Sequence, residues 1–275
     1  HTGRQADRRR LLSVAAAGAA LAATGLGASR SASAQKKYGP GVSDTEIRIG
    51  QTIPYSGAAS VFGVDGRIQA AYVKQVNAAG GVNGRKINLI SLDDGFVPPK
   101  AVEMTRRLVE QDEVFAMMGS VGTPTNVAVS KYLNDRKVPQ LVVASGSAKL
   151  EDAAALPWTA TFYPSQTLEG EIYAKYLLKN RPNARIAVLY QSDDYGKGIL
   201  EGFRRGLGPR AAQMIIKEAS YELTDPTVDP QIISLQASGA DTFFHATTPK
   251  FAAQAIRKLG EMKWKPVHIL NNVSA

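Results

Sequence analysis

The sequence predicts an α/β protein of two lobes, each a mostly parallel sheet flanked by helices, with the second lobe incomplete. Three observations predict it. From Glu46 onward, short apolar or alternating runs take turns with helix-length amphipathic patterns, the mark of strand–helix–strand crossovers and so of parallel pairing. The series breaks at Tyr163-Pro164-Ser165 and then restarts, which predicts one lobe over 35–163 and another over 164–275. The last strand pattern, Val267–Leu270, is followed by Asn271-Asn272-Val273-Ser274-Ala275 without a helix to cover it, so a fragment of a longer protein is expected.

Residues 1–34 read as a targeting segment. Arg8-Arg9-Arg10-Leu11-Leu12 fits a twin-arginine pattern, a soft Ala/Leu/Gly run follows to Leu26, and Ala32-Ser33-Ala34 is a cleavage site ahead of Gln35. A membrane helix is the competing reading, but Thr24, Gly25 and Gly27 break the run. In the first lobe, Ile47, Ile49 and Ile53 alternate with polar neighbours as a strand that ends in a loop from Tyr55 to Phe62. Ile68, Ala71, Tyr72, Gln75 and Val76 share a helical face closed by Ala79-Gly80-Gly81. Asn83-Gly84 turns into a second strand ending in Asp93-Asp94, and Pro98-Pro99 opens a helix through Val109. Val114 to Met118 is the third strand. Gly119 ends it, and Thr123-Pro124 reads as an N-cap and first helical residue of a helix reaching Arg136. Val138 to Ala144 and Pro157 to Thr161 complete the lobe. The second lobe repeats the scheme. A helix from Gln166, a strand from Ile186, a helix from about Gly196 and a strand from Met214 come first. A helix from Pro230, a strand from Thr242, a helix from Pro249 and the strand at Val267 follow.

Composition narrows the chemistry. The 275 residues contain no cysteine, which excludes disulfides, thiolate metal sites and a Cys nucleophile, and three histidines are too few for a His-rich metal centre. Removing 1–34 takes Arg4, Arg8, Arg9, Arg10, Arg30 and Asp7 out of the 33 basic and 24 acidic residues, so 28 and 23 remain and the net charge is +5. That excess is scattered and describes a solvated surface, with no nucleic-acid groove. No catalytic residue, metal or cofactor is predicted.

Parallel sheets covered on both faces gather the carboxyl ends of their strands at one edge, where ligands bind. The loops 55–62, 120–123 and 144–147 meet there. The stretch from Gly119 to Asn126 delivers the chain to a helix start whose first N–H groups have no partner inside the helix, at the positive end of its dipole. It contains no acid, base, cysteine or histidine, so it is suited to holding a carboxylate and not to transforming one.

Four segments then carry a resemblance: EIRIGQTIPYSG from Glu46, VKQVNAAGGVNGR from Val73, Asp93-Asp94 ahead of Pro98-Pro99-Lys100-Ala101, and QSDDYGKG from Gln191. In this order and spacing the chain resembles the periplasmic solute-binding proteins of Leu/Ile/Val type, the receptors of ABC importers. The resemblance implies a type I two-lobed fold closing by a hinge around a small solute, a periplasmic location, an inner-membrane permease as partner, and export by the twin-arginine machinery. It also implies a ligand carboxylate on Val121, Gly122 and Thr123, further polar contacts from Ala144, Ser145 and Gly146, and aromatic covers at Phe62 and Tyr195. One departure bears on the ligand. Where amino-acid binders of the family carry an acid after the strand at Val267–Leu270, this chain has Asn271-Asn272, and a family aromatic after the strand at Thr242 is replaced by Thr247 or Thr248. Asn272 and Thr248 are therefore the site candidates there. The solute is either an amino acid or amide of branched-chain type, or an amine-free aromatic or aliphatic carboxylate.

Plainer readings stand beside these. Asp93-Asp94 and Asp193-Asp194 are expected to cap turns, the latter setting Tyr195 at the cleft. Tyr195 is a cleft residue or a core aromatic, and Ser145 meets ligand or caps a helix expected after Ser147. His245 is expected to be a satisfied buried histidine, and Trp158 and Trp264 to pack. A nicotinamide oxidoreductase would need a G-x-G-x-x-G turn after the first strand, where Pro54-Tyr55-Ser56-Gly57-Ala58 stands instead. A ligand-sensing domain of a receptor is the remaining alternative.

Overall fold

The computed structural model describes residues 38–275, and the predicted targeting segment 1–34 lies outside the described residues. Five parallel strands form the first sheet: β1 (Glu46–Ile53), β2 (Lys86–Asp93), β3 (Ala116–Met118), β4 (Gln140–Val143) and β5 (Thr159–Thr161), in the order β2-β1-β3-β4-β5. Its helices are α1 (Gly63–Ala78), α2 (Pro98–Glu110) and α3 (Thr123–Asp135). The second sheet holds β6 (Ile186–Gln191), β7 (Ile215–Tyr221), β8 (Thr242–Ala246) and β9 (Val267–Leu270), again all parallel, in the order β7-β6-β8-β9. With it come α4 (Gln166–Asn180), α5 (Asp194–Leu207), a short α6 (Ala211–Met214), α7 (Asp229–Ala237) and α8 (Pro249–Glu261). The two sheets thus begin with the same strand order, and each reverses direction beside its first strand, the point where such sheets open a crevice for ligand.

Burial follows the pattern expected of central parallel strands. Every residue of β8 is buried, as are all of β6 except Tyr190. Phe203 of α5 stacks on Phe244 with centroids 4.3 Å apart, and Ile199, Leu177 and Ile186 close the same core. On the opposite face Phe243, Phe251, Ile232 and Leu235 form a second core under α7 and α8. In the first sheet Leu108, Met117, Val129 and Leu133 pack α2 and α3 onto one face, while α1 lies across β1 and β2 on the other.

Covering on both faces is incomplete in the first sheet. Met118, Leu141 and Val142 are exposed, because the connection from β4 to β5 contains only a short 3₁₀ turn, Ala148–Leu150, where a covering helix was predicted by the general rule. Other boundaries also moved. β3 starts at Ala116: Val114 N–H turns back to the Leu108 carbonyl, and Phe115 N–H makes a first contact with β1 at the Arg48 carbonyl just ahead of the strand. Met214 closes α6 instead of opening β7. Trp158, expected to pack, is 40% exposed; its backbone serves the sheet, with its N–H on Asn134 Oδ1 and its carbonyl taken by Gln140 N–H. Trp264 does pack, tilted against Phe243.

One contact in the second lobe is unusually close. A Cβ on Gly170 of α4 would lie 2.2 Å from the Ile199 carbonyl oxygen, and one on Gly202 of α5 would lie 2.0 Å from that of Thr167. The two helices therefore meet backbone to backbone.

Candidate functional site: a cleft between the two sheets

The first wall is built at the end of β3. Its pairing with β4 continues past the strands: Ala144 N–H donates to the Ser120 carbonyl, Gly122 N–H to that of Ala144, and Val121 N–H to that of Thr52. The Ser120 hydroxyl accepts from Thr52 N–H at 3.0 Å. This stitching fixes the loop before any ligand arrives. Gly122, and not Thr123, is the N-cap of α3, at φ +115° and ψ +136°; Thr123 is the first helical residue and Pro124 the second. A Cβ at Gly122 would lie 2.8 Å from the Phe96 ring and 2.6 Å from the Thr125 hydroxyl, so both the backbone angle and the space require glycine. The N–H groups of Thr123, Ser145 and Gly146 find no acceptor among the described residues.

Proton bookkeeping at Thr123 defines what this wall offers. Thr123 Oγ1 and Ser145 Oγ are 2.8 Å apart, Gln166 Nε2 donates to Thr123 Oγ1 at 2.8 Å, and Ser147 N–H donates to Ser145 Oγ at 3.3 Å. Two hydroxyls own two protons, and the bond between them uses one. The other remains for a ligand. Ser145 ties its local turn through Ser147 N–H and also lines the cavity.

The second wall comes from the carboxyl ends of the other sheet. Asp193 caps α5, its Oδ1 accepting from Tyr195 and Gly196 N–H, and this cap sets Tyr195 in place. The Tyr195 ring is 6% exposed and belongs to the lobe's core as well as to the cavity wall. Its hydroxyl accepts from Asn271 Nδ2, and Asn271 Oδ1 takes the Thr247 N–H at 3.0 Å. Asn271 is thereby a buried brace, and Asn272 is the neighbour that reaches the cavity. Thr248 also lines it, with its hydroxyl donated to Gln191 Oε1 at 3.1 Å.

All ten residues singled out by sequence, Phe62, Val121, Gly122, Thr123, Ala144, Ser145, Gly146, Tyr195, Thr248 and Asn272, line one cavity of about 550 Å³, open solvent included. The same cavity is lined by residues that sequence reasoning passed over: Asp65, Phe96, Tyr163, Gln166 and Glu169. Phe96 is held at φ +64° by Asp94, whose Oδ1 accepts its N–H at 2.8 Å. Glu169 Oε1 accepts from Tyr173 Oη and from the Asn272 N–H, both at 2.7 Å. Burial raises the Asp65 pKa above the usual carboxylate value.

The remaining candidates have structural partners. Asp93 receives Tyr55 N–H, Gly95 N–H, the Ser56 hydroxyl and Lys100 Nζ; burial works against its charge, but these donors hold its pKa well below the usual range. His245 is buried with Nδ1 on the Thr247 hydroxyl and Nε2 on His268, and burial followed by the neighbouring imidazole pushes its pKa down to about 3. Among the described residues no group of His, Cys, Asp and Glu is arranged to hold a metal, and no helix is long and apolar enough to cross a membrane.

A cleft at the carboxyl ends of two parallel sheets is a solute site by architecture, and sequence comparison agrees: residues 46–273 match the family model described as periplasmic binding protein. The chain belongs to the periplasmic binding protein family. It is 27% identical over 222 residues to an amino acid binding protein of Pseudomonas aeruginosa, covering 78% of this chain and 58% of that one. Against Leu/Ile/Val-binding protein homolog 3 of Brucella melitensis the identity is 26% over 203 residues, 72% of this chain and 54% of that one. The fatty acid ABC transporter substrate-binding protein from Thermomonospora curvata superposes with a TM-score of 0.76 at 22% identity, covering 86% of this chain and 60% of that one. This binding protein thus spans less than two thirds of the length of these relatives, and its relatives are solute-binding proteins, not enzymes.

Proposed function

We propose that this chain is the solute-binding receptor of an ABC importer, exported by its twin-arginine-type leader, cleaved near Ala34-Gln35, and working outside the cytoplasm with an inner-membrane permease. Its lobes, 35–163 and 164–275, close on a small carboxylate-bearing solute. The observation that carries this reading is the start of α3. The N–H groups of Thr123, Ser145 and Gly146 and one hydroxyl proton of the Thr123–Ser145 pair are unspent at the cavity wall, at the positive end of a helix. A carboxylate accepts all of these; a neutral ester accepts them weakly. Among the described residues the seat itself offers N–H and hydroxyl donors, and the hydroxyls of Thr123 and Ser145 bond to each other and not to a base, so binding without turnover is the expected chemistry.

The test compares small carboxylic acids with their methyl esters by isothermal titration on the full-length protein, with the solute recovered and analysed afterwards. Acids should bind at least about tenfold more tightly than their esters, a difference of about 1.4 kcal/mol. Equal affinity would overturn the carboxylate seat, and a chemically altered solute would overturn the receptor reading.

A further inference from the structure

The charges around the cavity do not suit an anion alone. Its lining includes two carboxylates, Asp65 from α1 and Glu169 from α4, and no Lys, Arg or His. Glu169 is 8% exposed. Its Oε1 accepts from Tyr173 and Asn272, while among the described residues Oε2 takes no hydrogen bond and is not sealed off, on a side chain that lines the cavity. Asp65 has neither a hydrogen bond nor an ion pair in the described chain, and half-buried carboxylates without partners are costly. An amine-free acid would bring a third negative charge between them. Glu169 also lies three residues, about 4.5 Å of helical rise, beyond Gln166, whose amide touches the Thr123 hydroxyl.

Building on the carboxylate seat proposed above, we propose that Glu169, assisted by Asp65, is the counter-ion for an ammonium group on the ligand. The solute is then one with its acid and amine close together. Its carboxylate sits on the head of α3 and its ammonium against Glu169 Oε2. Glu169 thereby supplies the countercharge that the Asn271-Asn272 segment lacks, from a different element of the fold, and its second oxygen positions that segment through the Asn272 N–H.

The experiment titrates full-length wild type, Glu169→Gln and Asp65→Asn with paired probes: leucine and 4-methylpentanoate, phenylalanine and 3-phenylpropanoate, 4-aminobutyrate and butyrate. Wild type should prefer at least one amino acid over its deaminated partner by about tenfold or more, and Glu169→Gln should remove most of that preference while changing the deaminated acids by less than about threefold. Asp65→Asn, at a half-exposed position, should reduce the preference by a smaller factor and remains informative if Glu169→Gln does not fold. Deaminated acids binding as tightly as amino acids would overturn the countercharge and leave the seat standing. A preference that survives in both variants would also overturn it. Failure of every acid in both series would overturn the seat and this proposal together.

Discussion

At Thr123 a single side-chain oxygen accepts from one lobe, through Gln166 Nε2, and shares a proton with Ser145 of the other. Thr123→Ala should remove the hydroxyl and leave Gln166 Nε2 without its acceptor, weakening carboxylate binding by about 1–3 kcal/mol, as read by titration calorimetry. Unchanged affinity would place the acid elsewhere. Asp94 invites a different measurement. It is fully buried, its Oδ2 has no partner, and burial raises its pKa to about 6 from 3.8. A carboxyl whose folded pKa is raised contributes stability that is present below the unfolded value and is lost as pH climbs through the folded one. Wild type should therefore lose about 3 kcal/mol relative to Asp94→Asn between pH of about 4 and about 7, since Asn keeps the acceptor for Phe96 N–H and cannot ionise. Urea denaturation of both proteins across that range checks it; a constant gap between them would contradict the assignment.

Elements whose ends are chemical were readable in advance, and those whose ends are steric were not. The helix from Gln166, the strand from Thr242 and the strand from Val267 begin where composition says they should, because polar breakers flank uniform apolar runs. The head of α3 was legible to within one residue: Pro124 announces a helix start, but only the φ of Gly122 moves the cap there from Thr123. Gly122→Ala should cost about 1–3 kcal/mol through that backbone angle and through collision with Phe96, lowering the denaturation midpoint together with ligand affinity. Loss of neither would mean the turn can relax. Glu169 and Asp65 escaped notice for a common reason. Each sits in or next to the first turn of a helix, where an acid reads as an ordinary partner of the helix dipole, and only the meeting of the two lobes makes either a cavity residue. Phe96 escaped because a positive φ at a bulky residue leaves no trace in composition.

At the scale of the molecule, the links across the cleft are slight. Gln166 makes two of them, its side-chain amide donating to the Thr123 hydroxyl and its N–H to the Gly146 carbonyl, both at 2.8 Å, whereas the Lys149–Asp194 ion pair, 2.8 Å long, is largely exposed and worth at most about 1 kcal/mol. If these few links among the described residues are all that hold the lobes, the proposed ligand supplies the closing free energy. Small-angle scattering of the full-length protein should accordingly show a smaller radius of gyration with saturating ligand than without it. An unchanged radius would mean a cleft that fills without closing.

The backbone contact between α4 and α5 has a consequence for how this site diversifies. Glu169 precedes Gly170, and Tyr195 rides on the helix of Gly202, so the charge and the ring that face the solute are mounted on what is mechanically one plate. Neither helix can tilt to suit a bulkier guest without separating main chains that leave no room for even a methyl group. New specificities in the second lobe are therefore confined to exchanging side-chain tips, and a change of ligand size must be accommodated from the opposite jaw.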